Sequence, residues 1–165
     1  MPEKRTRKRA QAAKRAGKSP STQAGEYVRE EIHHIREGKH GARSAEQAIA
    51  IGLSKARRAG VKLKPPKKGT TSEATRRAAA RDSQKGRSGG RKTSVRRSRA
   101  MLKRLEREGR SAASPQALAR QARSAARRRS AASRSASAKK AARTKGPAKR
   151  RAAAKKAART RARRG

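Results

Sequence analysis

PSTQAGEYVREEIHHIREGKHGARSAEQAIAIGLSKARRAGVKL, residues 20–63, decides the fold. Its first half sets Val28, Ile32 and Ile35 at i, i+4 and i+7, one face of a helix, with Pro20 near the start and Tyr27 flanking that face, half buried. Gly38 offers a left-handed stop after Glu37. The second half opens at Ser44, where Ser44-Ala45-Glu46-Gln47 has the spacing of a capping box. Ala45, Ile49, Gly52, Leu53 and Ala56 then share a face, and Gly60 ends the helix. The joint GKHGAR, Gly38 to Arg43, suits two helices folded back on each other, and Pro65-Pro66 stops whatever Val61 and Leu63 begin. The fold class that follows is all-α, a small helical hairpin with Val28, Ile32, Ile35, Ile49 and Leu53 as its core.

Charge sets this stretch apart from the rest. The 165 residues carry 52 Lys and Arg against ten Asp and Glu, a net charge of +42, with one Tyr and no Phe, Trp or Cys. Residues 1–19 hold eight basic residues and only Glu3 in opposition; residues 20–63 hold eight against five; residues 64–165 hold 36 against four. The hairpin is therefore near charge balance between a basic arm (1–19) and a basic remainder. That remainder divides into a Pro- and Gly-containing linker with a short helix (64–93) and an Ala/Arg/Lys/Ser-rich tail (94–165). A hairpin of this size alone is marginal, because so few large side chains barely offset chain entropy.

Punctuation marks helical potential after Lys68. Thr70-Thr71-Ser72-Glu73 has capping-box spacing before an Ala/Arg run that ends by Gly86. Residues 94–108 bring Val95, Met101, Leu102 and Leu105 close to one face, with Gly109 as terminator. Ser114-Pro115 opens a third stretch that runs to Gly146-Pro147, and GRSGGRK (Gly86 to Lys92) reads as a flexible linker. AKKAART occurs twice, at Ala138–Thr144 and Ala154–Thr160, without the large apolar residues that stacking repeats need. Ala, Lys and Arg favour helix, but like charges three and four apart repel along it. The expectation is a long basic tail that is disordered when free and helical only when bound.

Several chemistries find no footing. With no Cys there is neither a disulfide nor a thiolate site, and no stretch approaches the roughly 20 apolar residues of a membrane span. The basic start lacks the apolar region of a secretory signal. His33, His34 and His40 are the only imidazoles, and Glu30 lies four residues before His34. A metal site wants three or four ligands with outer support, so these are read as polar helix and joint residues, with no metal and no cofactor. No Ser has a His–Asp context and no phosphate-binding glycine loop is present, so the chain is not read as an enzyme.

What the charge does imply is a polyanion. Duplex DNA carries roughly one negative charge per 1.7 Å, so 42 charges match the phosphates of about 21 base pairs. Stacking platforms for unpaired bases are missing, which favours duplex DNA over single strands. The candidate phosphate contacts are Arg127, Arg128, Arg129, Lys139, Lys140, Lys149, Arg150, Arg151, Lys155 and Lys156. A repetitive tail presents no fixed face to base edges, so contact is with the backbone and non-specific. The hairpin then serves self-association or a partner. RNA or a ribosome suits the same charges, and a protein-interaction module merely localised by its tail is a third reading.

The residues also carry two resemblances. EYVREEIHHIREGKHGARSAEQAIAIGLSKARRAGVKLKPPKKG, Glu26 to Gly69, resembles a small family of uncharacterised bacterial proteins through its KHG joint and its QAIAIGLSKARRAG helix. That resemblance implies a bacterial, cytoplasmic protein and lends no activity. The tail resembles linker-histone-type tails and bacterial histone-like proteins, departing from them in being rich in Arg and Ser and poor in Pro. Together they imply a histone-like, nucleoid-associated protein.

Overall fold

Helices account for all regular structure in the computed structural model, which describes residues 2–88 and 94–163; no strand occurs among them. In chain order they are α1 (Lys4–Arg15), α2 (Pro20–Arg36), α3 (Ala45–Arg58), α4 (Glu73–Arg87), α5 (Val95–Glu106), a 3-10 turn (Ser111–Ala113), α6 (Pro115–Arg127) and α7 (Ala131–Ala162). Contacts divide the chain into two compact units, with the division falling after Gln121 inside α6.

In the first unit α2 and α3 form the expected hairpin, and local chemistry explains both starts. Ser19 caps α2, accepting from the Thr22 amide, with Pro20 at the first helical position. Ser44 accepts from the Gln47 amide, while the Gln47 side chain accepts from the Arg43 amide, one residue earlier than a standard capping box. Gly38 and Gly60 sit at φ 78° and 85°, the left-handed stops read from the sequence.

The two helices meet through small residues. Val28 lies against Gly52, and a Cβ built on that glycine would fall 2.6 Å from the Val28 Cα. This approach turns Ala45, Ala48, Gly52 and Ala56 inward on α3. Ile49, expected in the core, is therefore only half-buried and outside both apolar clusters, and Leu53 is a partly buried flank of one. One cluster gathers Ile32, Ile35, Ala42, Ala48, Ala112 and Ala113, with Val28 and Leu118 packed against it. The other gathers Ala10, Ala24, Tyr27, Ala56 and Val61. Tyr27, expected half-buried, is 3% exposed, and burial raises its pKa against the opposing pull of Arg7.

Elements outside residues 20–63 complete this core. The N-terminal segment, read as a basic arm, is helical: α1 packs on α2 through Thr6 and Ala10 and turns its cations outward. Asp82 fastens α4 to α3, accepting from Ser54 Oγ at 2.6 Å and Arg58 Nε at 2.7 Å. The Gly41 amide donates to Leu105 O at 2.8 Å, the Ala42 amide to Gly109 O at 3.0 Å, and Arg36 Nε to Ala113 O at 2.9 Å. The last turn of α5 and the residues after it thus cover the hairpin joint.

Three expectations about the remainder change. First, the tail is not a disordered segment: α6 and α7 are helical to Ala162. Ala, Arg and Lys are among the best helix formers, and Ser114 and Ser130 supply N-terminal caps. Each like-charged pair costs only about 0.2–0.5 kcal/mol against this. Second, the stretch from Ser114 breaks at Arg128–Ser130 before α7 begins. Third, the cap of α4 is Ser72, accepting from the Thr75 amide, and not Thr70; the helix continues past Gly86 to Arg87. Of the expected Gly86–Lys92 linker, residues 89–92 lie outside the described residues.

Candidate nucleic-acid interface

The basic residues singled out in the tail share one property, exposure. Arg127 ends α6, Arg128 and Arg129 lie in the joint that follows, and Lys139, Lys140, Lys149, Arg150, Arg151, Lys155 and Lys156 belong to α7; all ten are solvent-exposed. Beyond Glu108 the sequence has twenty Lys and Arg and no carboxylate side chain. Among the described residues, no ion pair involves a Lys or Arg later than Arg77.

Arg129 differs from the other nine. Its guanidinium donates to Ser133 Oγ and to Ser133 O at 2.9 Å, and also reaches Ser137 Oγ. Arg134 answers from the first turn of α7, donating to Arg129 O at 2.9 Å and to Ala126 O at 3.4 Å. Two arginines thereby satisfy carbonyls and hydroxyls at the α6–α7 joint, where helix ends leave backbone groups unpaired. Arg129 is a joint residue as much as a surface cation.

Within α7, Gly146 has non-helical backbone (φ 70°, ψ 166°) and Pro147 follows it. Gly ends one helical arm and Pro begins the next, each at its favoured terminus. A concavity of about 560 Å³ at this bend is lined by Ser137, Lys140, Thr144, Lys145 and Lys149, three ammonium groups and two hydroxyls. The AKKAART copies fall one on each arm and adopt the same local bond: Thr144 Oγ1 donates to Lys140 O and Thr160 Oγ1 to Lys156 O, both at 2.9 Å. At about 100° per residue, Lys139, Lys140 and Lys145 point in different directions around the axis. No single face concentrates the charge, so cations project all round the helix and no edge is set apart.

The first unit distributes charge differently. Five of the ten acidic residues, Glu3, Glu26, Glu30, Glu31 and Glu37, gather on α2 and the residues packed against it. Glu3 Oε1 lies 2.9 Å from His34 Nε2 and 3.6 Å from Lys39 Nζ, and the His34 hydrogen bond is the main cause of its lowered pKa. Lys39 likewise holds Glu37 below its ordinary value. Arg57 is buried on α3, and that burial lowers its pKa while Asp82 opposes the shift. A groove of about 240 Å³ between α1 and α2 mixes Arg5, Arg9 and Arg29 with Glu3, Glu26 and Glu37, which makes it a poor cradle for phosphate.

Sequence reasoning passed over one constellation here. Glu31, the residue after Glu30, lies with His34 and His40, and one donor atom of each falls within 4.8 Å of the others. Glu31-x-x-His34 on one helix face was the available signal; that His40 would join them depends on how the joint folds.

Residues 11–68 match a family described as a family of unknown function (DUF6496), a span that runs from α1 through the hairpin. The matched residues include the stretches KHG and QAIAIGLSKARRAG of this chain, and the family's description assigns no activity. No curated protein and no solved structure matches the chain. Among the described residues no helix is long and apolar enough to cross a membrane.

Proposed function

We propose that the chain is a histone-like, nucleoid-associated protein that binds duplex DNA through its phosphate backbone, without sequence preference. The observation that carries this reading is the run of exposed cations on α6 and α7 with no carboxylate side chain after Glu108. Phosphates are the partner that cancels such a field, and charge directed all round a helix lets one tail touch two duplexes. Val28, Ile32, Ile35 and Leu53 hold the hairpin together, and the half-buried Ile49 is left at its flank for a partner or a second copy.

The test is a salt-titrated competition between labelled duplex DNA and structured RNA for the full chain. With about ten phosphates engaged, log K falls against log salt with a slope near −9. Replacing Lys139, Lys140, Lys155 and Lys156 by Gln lowers that slope by up to about four units and weakens binding alike on unrelated sequences. Equal or tighter binding to RNA would transfer the function to RNA or ribosomes. An unchanged slope in the variant would remove α7 from the interface.

A further inference from the structure

We infer that Glu31, His34 and His40 form a binding site for a divalent transition-metal ion of the zinc class. Glu31 is the only charged residue among the largest fully buried side chains. Lys55 Nζ meets its Oε2 at 2.5 Å, so one carboxylate oxygen is both balanced in charge and hydrogen-bonded. The other, Oε1, is buried without a hydrogen-bond partner although His40 Nε2 stands 3.1 Å away.

The His40 ring explains why this contact wants a third atom. Its Nδ1 lies 3.0 Å from the Gly41 carbonyl oxygen, which can only accept, so Nδ1 carries a proton. In the neutral ring Nε2 then presents a bare lone pair to a bare carboxylate oxygen. A second ring proton would relieve the repulsion, but Oε1 receives no hydrogen bond from this ring. An ion bonded at about 2.1 Å to each atom would bridge their 3.1 Å separation with an apex of about 95°, and would take up both lone pairs.

The surroundings are those of a ligand set. A ring nitrogen of His34 is the third donor, and the two imidazoles meet edge to face with centroids 6.2 Å apart. Donation from His40 to a backbone carbonyl fixes its tautomer, and Lys55 holds the free oxygen of Glu31, the outer contacts that metal ligands need. Two imidazoles and one carboxylate with a fourth position open suit zinc or cobalt over calcium or magnesium. Gly41, whose amide is tied to Leu105 O, fixes the joint that carries His40. A bound ion would therefore clamp the joint to the C-terminal end of α2.

Untagged full-length protein is titrated with Co²⁺, followed by its visible absorption, and with Zn²⁺ in competition with a chromophoric chelator. The expected result is saturable 1:1 binding with the intense bands of four-coordinate cobalt. His40→Ala abolishes it, His34→Ala gives the same reading at a partly exposed position should His40→Ala unfold, and Lys55→Met weakens binding by about 10–100-fold. His33→Ala, on the exposed side of the same turn, leaves binding unchanged. Lack of saturable binding, or wild-type affinity in folded His34→Ala and His40→Ala proteins, overturns the site. Loss of metal binding leaves the reading of the tail untouched, because none of these residues lies in it.

Discussion

Helix α2 and the two arms of α7 are helical for different reasons. α2 buries seven residues, among them Tyr27, Glu31, Ile32 and Ile35, while α7 over 32 residues buries none. In the first, packing of one face fixes the helix; in the second, the backbone preference of Ala, Lys and Arg and a single Ser cap do so. Secondary structure alone therefore says little about how firmly a segment is held. The first helix should melt with its neighbours as one unit, and the second should respond residue by residue to its own sequence and to salt.

The sharpest way to break this contrast is at Ile35, which is fully buried. Ile35→Ala should destabilise the first unit by about 2–5 kcal/mol in a denaturant titration, through lost burial and a residual cavity. An effect below about 1 kcal/mol would mean the cluster with Ala48, Ala112 and Ala113 does not hold α2. Next comes Gly52→Ala, whose added methyl meets the Val28 backbone. It should cost about 1–3 kcal/mol in the same titration, since neither helix can yield without parting the other contacts.

In α7 the scale drops. Ala141→Gly should cost about 1 kcal/mol of local helix, seen as faster amide exchange around residue 141 with the melt of the first unit unchanged. Raising salt should increase ellipticity from α7 as repulsion between its cations is screened; a flat response would show that propensity already saturates the helix.

The smallest expected effect is at the start of α4. Arg76 holds the Glu73 carboxyl below its ordinary pKa, chiefly by hydrogen bonds of 2.9 and 2.6 Å. A depressed carboxyl stabilises the fold above the unfolded value of about 4.3, and that contribution disappears as pH falls through the folded value. The first turn of α4 should thus exchange its amides more slowly than in Glu73→Gln above about pH 4, with the difference vanishing as pH falls further.

The sequence conveyed what local chemistry controls. Ile32 and Ile35 announced a face by their spacing, Ser44 announced a cap, and Gly38 and Gly60 announced stops. It was silent where the deciding partner is distant. Nothing near Gly52 reveals that Val28 will press on it, so the inward face of α3 was taken to include Ile49 when smaller residues occupy it. Nothing in the low-complexity region distinguishes Ala112 and Ala113, both buried, from the many exposed alanines after them. The tail failed for another reason: propensity and repulsion have opposite signs and similar size there, and counting charges does not say which prevails. His40 belongs with the first failure, since its distance from Glu31 is a property of the joint.

The break at Gly146 has one more consequence. It separates two arms of about 22 and 24 Å, each carrying one AKKAART copy, so under the proposed DNA-binding function the tail has two binding arms joined at a single residue. For such a molecule the second engagement follows the first at a high effective concentration set by the angle at that residue. Under that proposed function, avidity follows a backbone torsion, adjustable at one glycine without touching a single charge.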